Sequence, residues 1–540
     1  MRFPDFNGSQ ATTMANGRNI TWLLQTRTER RPDHPFIVWE PLNGPTETFT
    51  YTTFSQRVAQ VAAGLRQRDV RQGERVVVHL ENCPEFLFAW FALARIGAVA
   101  VCTNARSSVD EIRHFGEHSQ AVAAITQPKF AGQVAQALPG LRWIAVTETD
   151  AGEAVATGDR PGASDAFASL YGDAGGGTPA DVGAFDPAWI QYTSGTTSRP
   201  KAVVLTHANA LWGGKVSALQ EDLRSTDVHL VHLPLFHINA LCYSVLSSLF
   251  VGATAVLQPR FSASRFWDVS LRHGCTWASM IPFAIRALAA REIPAEHSYR
   301  IWGAGASSPP DEALFRVRML AWYGMTETVI HAVRDNKFET GSHPVIDEVY
   351  SPGRPYAMGR PSPAYEVALL HEDGTRITPG ETGSVFVRGV PGLSLFAEYL
   401  HDQAATREAV DERGWLHTGD TATLHEDGYL SFADRAKDLL KVGGENVAAS
   451  EIERVIVAVA GVSEVAVVAA KHRMLDEVPV AFVIGSGANP DLAADVLAAC
   501  KAQLADFKVP REVRVVDEMP RSTLNKIAKA ELRKTLPTFG

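Results

Sequence analysis

Along the first several hundred residues, short apolar runs alternate with apolar or amphipathic stretches of helical length. Residues 75–80 (RVVVHL) read as a buried strand, 85–96 as an apolar helix and 98–103 (AVAVCT) as the next strand. Strand, helix and strand in that order form a β-α-β unit, which predicts a parallel sheet with helices on its faces. A helix over 110–119 and a strand over 121–125 continue the rhythm, which recurs around 227–233, 253–257 and 276–281. No internal repeat is present.

Two changes of composition divide the chain. Residues 150–186 are rich in Gly, Ala, Asp, Ser and Thr and poor in apolar runs, which predicts a surface linker. The second change falls at 433–438. Beyond it the pattern predicts a helix over 450–459, strands over 465–470 and 478–484, a helix over 492–504 and a basic tail. That stretch has the usual size of a small domain. The expected architecture is α/β, with a large N-terminal domain of helix-covered sheets over 1–433. A small α+β C-terminal lid domain over 434–540 follows, joined by a hinge.

The chain has 540 residues, enough for more than one domain with sizeable cores. Its 46% apolar and 21% charged residues are those of an ordinary soluble globular protein. A net charge of −9 leaves no basic footprint for nucleic acid. No apolar run is long enough to span a bilayer. The N-terminus lacks the apolar stretch of a secretory signal, so a cytoplasmic location is expected. Cys83, Cys102, Cys242, Cys275 and Cys500 are scattered and never form a C-x-x-C pair. They argue against a zinc site or a disulfide framework and read as buried apolar residues. Nothing in the pattern separates a monomer from a homodimer.

The candidate chemistry starts at Tyr192-Thr-Ser-Gly-Thr-Thr-Ser-Arg-Pro-Lys201. Thr193, Ser194, Thr196, Thr197 and Ser198 offer hydroxyls beside backbone N–H groups, and Gly195 allows close backbone approach. Such a turn suits a polyphosphate, with Lys201 as a point charge. It lacks the spacing of a Walker A loop. In Tyr323-Gly-Met-Thr-Glu-Thr328, Glu327 follows a glycine turn among hydroxyls, which suits Mg²⁺ shared with phosphate oxygens. In Trp415-Leu-His-Thr-Gly-Asp420, an aspartate after a tight turn can accept both hydroxyls of a ribose. Four more segments stand out: Leu233-Pro-Leu-Phe-His-Ile238, Asp434-Arg-Ala-Lys-Asp438, Lys441-Val-Gly-Gly-Glu-Asn446 and Pro520-Arg-Ser-Thr-Leu-Asn-Lys-Ile-Ala-Lys529.

In order and spacing these segments resemble the adenylate-forming enzymes: acyl-CoA ligases, luciferases and the adenylation domains of peptide synthetases. Ser198 in the phosphate loop, the FHI segment and the GGENV segment are most similar to the crotonobetaine/carnitine-CoA ligase group. The resemblance implies a role for each segment. Thr193, Ser194, Gly195, Thr196, Thr197 and Lys201 would clamp the β- and γ-phosphates of ATP. Gly303, Ala304 and Gly305 would line the adenine and acyl pockets. Tyr323, with Gly324, would stack on adenine, Thr326 would contact the α-phosphate and Glu327 would hold Mg²⁺. Asp420 and Arg435 would bind the ribose. Lys437 would be the hinge, and Gly443 and Gly444 one wall of the pantetheine tunnel. His237 would border the acyl pocket and gate the thiol's path. Lys526 would enter the site during adenylation and stabilise charge at the α-phosphate.

The implied reaction has two steps. A small organic acid attacks Mg·ATP to give an acyl-adenylate and pyrophosphate. The small domain then swings about Lys437, and CoA displaces AMP. Three departures from the family pattern stand out. Ala202 and Asn525 each replace a usual glycine. The stretch from Gly303 to Tyr323 is short by about one helical turn (~4 residues), and Trp322 stands where a small residue is usual. Trp302 and Trp322 would flank the acyl pocket, implying a compact, flat or small substrate; alternatively Trp322 points into the core. An alternative activity is adenylation of an oxyanion such as nitrite with transfer to an aryl amine, a diazotase of secondary metabolism. Retention of Lys201, Glu327, Asp420 and Lys526 argues against a non-catalytic nucleotide-binding relative.

Overall fold

The computed structural model describes residues 17–153, 164–193, 200–305, 308–335, 357–371, 373–435, 439–485, 489–520, 527 and 529–540. After the helix Tyr51–Gln67 (α1) come β1 (Arg75–His79), α2 (Pro84–Ile96), β2 (Val99–Cys102), α3 (Val109–Ser119) and β3 (Ala123–Thr126). β1 pairs in parallel with both β2 and β3, as the β-α-β pattern predicts. α2 is apolar all round because it is buried all round. Next to β2 lies β4 (Pro187–Thr193), which turns back into antiparallel β5 (Lys201–Thr206).

A second sheet takes the following strands. β6 (Val228–Val231), β7 (Thr254–Leu257), β8 (Trp277–Ser279), β9 (Ile301–Ala304) and β10 (Arg318–Tyr323) are parallel neighbours. Beyond β10 the sheet becomes antiparallel through Val333–Arg334 and Ala357–Pro361. It continues into the long strands β11 (Trp415–Leu424) and β12 (Leu430–Arg435). β4, β9 and β10 end where the candidate motifs begin, which is where open α/β sheets bind ligands.

The small domain has β13 (Leu439–Val442), β14 (Glu445–Ala448), α4 (Ala449–Val457), β15 (Val462–His472), β16 (Asp476–Gly485), α5 (Leu492–Gln503) and β17 (Glu512–Val515). β15 alternates with the pleat. Val467 joins Ile452, Ile456 and Val496 under the two helices, while Ala466 and Val468 face Met519 and Leu532 on the other side. The expected hinge Lys437 falls in residues 436–438, which lie outside the described residues.

The expectation of a surface linker over 150–186 needs correction. Residues 164–186 pack as a strap on α1. A 3-10 turn, Phe167–Leu170, buries both of its apolar ends in the same core as Tyr51, Phe54 and Val58. Tyr171 adds its ring 4.9 Å from the Arg57 guanidinium. Two large apolar side chains outweigh a polar composition around them, since each loses most of its water-facing area. All five cysteines are buried and free, as expected. Among the described residues no helix is long and apolar enough to cross a membrane.

Replacing Phe167 by Ala should cost about 3–5 kcal/mol of stability, the usual cost of emptying a buried aromatic site. A free linker would lose almost nothing, and urea unfolding of the variant separates the two.

Candidate active site

The β4–β5 hairpin carries the phosphate loop at its tip. Thr193 and Lys201 face each other across it, so the loop's two ends are held together by the ladder. Ser194, Gly195, Thr196 and Thr197 lie outside the described residues. The Lys201 ammonium sits 4.5 Å from the centre of the Tyr399 ring. Tyr399 lies on the short strand Glu398–Tyr399, which adds to the edge of β5. Its hydroxyl donates to Glu327 Oε1 at 2.9 Å. Lys201 and Glu327, distant in sequence, thus meet at one tyrosine that no motif marked.

Glu327 is 4% exposed. Burial pushes its carboxyl above the ordinary range, against the Tyr399 hydrogen bond and the Lys201 charge, while nearby Asp420 pushes it further up. Its backbone rests on strain. Val329, two residues on, takes φ 64 and ψ −45, and the Ile330 N–H donates to the Thr328 carbonyl at 2.6 Å. That is a γ-turn of the strained hand, which costs on the order of 1–3 kcal/mol in a β-branched residue. Tyr365 holds it down, donating its hydroxyl to the carbonyls of Thr328 and Ser394. Thr326 opens this turn half-buried, after Gly324.

Tyr323, at the end of β10, donates its hydroxyl to Asp420 Oδ2 at 2.7 Å. Arg435 lies opposite Asp420 in the β11–β12 ladder. The second and third motifs are therefore in contact. Gly303 and Ala304 end β9, and Gly305 is exposed just beyond it. Gly303 is required by close approach: a Cβ there would lie 1.6 Å from the Trp322 ring. Trp322 stacks on His331 at 4.1 Å and on Trp277 at 5.7 Å, with its edge toward Tyr243.

Trp302 and Trp322 were expected to flank one pocket, and the sheet does not permit it. Trp302 projects from the opposite face, fully buried among Phe266, Trp267, Tyr299 and Phe315. Successive residues of a strand alternate faces, so Gly303 and its neighbour cannot line the same cavity.

His237 follows β6 on a segment fixed by Asn82, whose amide donates to the Leu233 carbonyl and accepts from the Leu235 N–H. Its Nε2 lies 3.0 Å from Glu445 Oε2, a carboxylate of the small domain. Asn104 donates to the same oxygen at 3.2 Å. Burial works against the charged ring, but Glu445 outweighs it and raises the His237 pKa. His237 in turn holds the Glu445 carboxyl below its ordinary range despite burial. Gly443 and Gly444 form the two-residue turn between β13 and β14 at φ 57 and 88, a left-handed pair that glycine supplies without strain. The turn is seated on the large domain: a Cβ at Gly444 would come within 2.8 Å of Ile281 Cδ1. Lys526 lies outside the described residues.

The geometry brings together a cation, a buried carboxyl and the hydrogen-bonded Tyr323–Asp420 pair, with the small domain in contact with the large one at His237. The profile of the family described as AMP-binding enzyme matches residues 24–400, and that of the AMP-binding enzyme C-terminal domain matches residues 451–526. The chain belongs to the AMP-binding enzyme family. It is an ATP-dependent, AMP-forming ligase of the adenylate-forming acyl-CoA ligase group. A crotonobetaine/carnitine–CoA ligase of Salmonella paratyphi A is 32% identical over 534 residues, covering 96% of this chain and 100% of the relative. A double mutant of o-succinylbenzoate CoA synthetase from Bacillus subtilis, bound with its product analogue, superposes with a TM-score of 0.78 at 25% identity, covering 95% and 98% of the two chains. A benzoate CoA ligase from Burkholderia xenovorans LB400 gives 0.67 at 25% identity, covering 95% and 99%.

The His237–Glu445 pair should make the closed arrangement pH-dependent. A raised histidine pKa contributes fully below the ordinary value and fades as pH rises through the raised one; the depressed Glu445 sets the acid limit. Glu445→Gln should lower the His237 pKa relative to the parent. Titration of the ring protons by NMR measures it, and an unmoved pKa would contradict the pairing.

Proposed function

We propose that this ligase adenylates a small carboxylic acid and transfers the acyl group to CoA. The observation that carries the reading is the seat of the Gly443–Gly444 turn at Ile281, with Glu445 reaching His237. A turn without side chains beside a histidine of the large domain suits a thin thiol arm passing between the domains. Relatives acting with CoA support the same acceptor.

In the first step the β4–β5 hairpin and Lys201 hold the terminal phosphates of ATP. Tyr323 and Asp420 receive the nucleoside. The acid's oxyanion attacks the α-phosphorus, and pyrophosphate leaves. Lys526 stabilises the charge that grows between oxyanion and phosphate. Positioning and electrostatics dominate such a step. Among the described residues no three His, Cys, Asp or Glu side chains are placed to hold a metal by themselves. Glu327 fits a Mg²⁺ that takes its remaining ligands from phosphate and water, and the ion would neutralise phosphate charge. In the second step the thiol attacks the acyl carbon, the acyl–phosphate bond breaks and AMP departs.

Trp322 supports a small acid. On the Gly303 face, its ring occupies the volume beside the strand and is braced by His331, Trp277 and Tyr243. The diazotase alternative finds no support: none of the relatives described above acts on nitrite.

Pyrophosphate release over a panel of carboxylates and nitrite, with and without CoA, tests the reading. Short acids should release pyrophosphate and yield acyl-CoA, and Lys526→Ala should lower that release by at least about 10²-fold, the scale of one electrostatic donor. Nitrite turnover without any acyl-CoA would overturn it. Separately, Trp322→Ala should raise the relative kcat/KM for longer acids about 10- to 200-fold, the range a hydrophobic pocket discriminates. An unchanged preference would place Trp322 outside the substrate pocket.

A further inference from the structure

Besides the Ile281 and His237 contacts, Arg286 pairs with Asp476 of the small domain at 2.7 Å, and residues 104–111 of the large domain form a further contact stretch. Asn104 donates to Glu445. The Arg106 guanidinium lies 4.4 Å from the centre of the Phe507 ring. Ser108 Oγ donates to the Gln503 carbonyl at the end of α5, at 2.8 Å. Finally, Lys508 Nζ donates to Glu111 Oε1 across the interface and to Glu451 Oε1 of its own domain at 2.9 Å. All three side chains are nearly out of water, at 9%, 7% and 3% exposure for Lys508, Glu111 and Glu451.

Glu111 is aimed, not merely near. It is the third residue of α3, and its Oε2 accepts the Ser108 N–H at 2.7 Å in a capping box. That bond fixes one oxygen on the helix start and leaves the other for Lys508. Lys508 and Glu451 belong to one rigid unit, so their pair survives any swing of the small domain. The bond to Glu111 does not. The Glu111 bond is therefore a buried, charged contact that exists only in this arrangement of the domains.

We propose that Lys508 is a positioning residue for thioester formation. Shared between Glu111 and Glu451, its ammonium latches the small domain with the Gly443–Gly444 turn on Ile281. The assignment rests on the CoA-ligase reading above. A buried ion pair contributes little net stability, because dehydrating its charges offsets their attraction. It penalises misplacement instead, since a buried charge without its partner is costly. When the domain swings, Glu111 and Lys508 regain water, so release is not prohibitive. The latch thus selects a geometry without freezing it.

Glu111→Gln is a clean test. Glutamine keeps the capping box, and Lys508 keeps Glu451 as its counter-ion. The five native cysteines are buried and free. Spin labels can therefore be attached at Leu219→Cys and Val515→Cys, which are exposed positions on the large and small domains. In the labelled full-length protein, Glu111→Gln should shift the ratio of closed to open distances about tenfold or more toward open, the scale expected when a buried charge partner is lost. Thioester formation from preformed adenylate should fall by a similar factor while pyrophosphate release holds or rises. A general structural role would lower both half-reactions together and would overturn the proposal. An unshifted distance distribution also overturns the latch. The distance readout needs no substrate. A shifted distribution beside a parent enzyme that makes no acyl-CoA would instead overturn the thioester role and the function it rests on.

Discussion

Glu327 buries a carboxyl at the seam between two large sheets, and the surrounding structure answers to that placement. A carboxylate withdrawn from water needs hydrogen bonds and a counter-charge. Tyr399 and Lys201 supply them. Delivering Tyr399 requires the segment around it to be stitched to both sheets. The Phe396 N–H donates to the Glu327 carbonyl, and the N–H groups of Ala397 and Leu400 donate to Val204 and Ala202 on β5. Delivering Lys201 requires the β4–β5 register that sets it opposite Thr193. Aiming Glu327 requires the strained turn at Val329 and the Tyr365 hydroxyl that restrains it. Each of these is a local cost that makes sense only if the carboxyl must stay where it is.

Much of this was legible in the sequence, for a physical reason. Buried parallel strands read as apolar runs, so β1, β2 and the helix between them announced themselves, as did β15, β16 and α5 in the small domain. Motifs that bind phosphate or ribose use backbone turns with small residues, and small-residue turns are visible in a linear string. What escaped depended on side-chain direction. Trp302 and Trp322 occupy comparable places on adjacent strands, yet one strand position decides which face a ring joins. Phe167 and Leu170 were hidden inside a polar stretch, where composition speaks for the majority of residues and burial is decided by two. Tyr399 belongs to no motif; an edge strand of two residues carries it into the site. Glu445 stood inside a quoted segment, but its partner His237 is 208 residues away, and no local pattern encodes that distance.

The closed arrangement of the domains uses charge in two unlike ways. His237 and Glu445 shift each other's pKa toward the charged pair, at a position where the ring must also face whatever passes between the domains. Lys508 sits between two carboxylates, and there burial pushes Glu451 up even as the ammonium pulls it down. The first pair joins the two domains beside the Gly443–Gly444 turn. The second is not independent of the first, since the Lys508 charge helps to hold the Glu445 carboxyl below its ordinary range.

The ring cluster beside Gly303 and the Gly443–Gly444 turn lie in separate parts of the molecule. Trp322 and the rings that brace it fill the Gly303 face, all within the large domain. The glycine turn and Glu445 belong to the small domain and meet the large one at Ile281 and His237. Strand alternation insulates the two, because the side chains behind β9 and β10 pack in a different core from those in front. Repacking one face then leaves the other in register. Under the proposed reading, a fold arranged this way can change the acid it activates without disturbing where the thiol enters, provided that Glu327 keeps its seat at the seam.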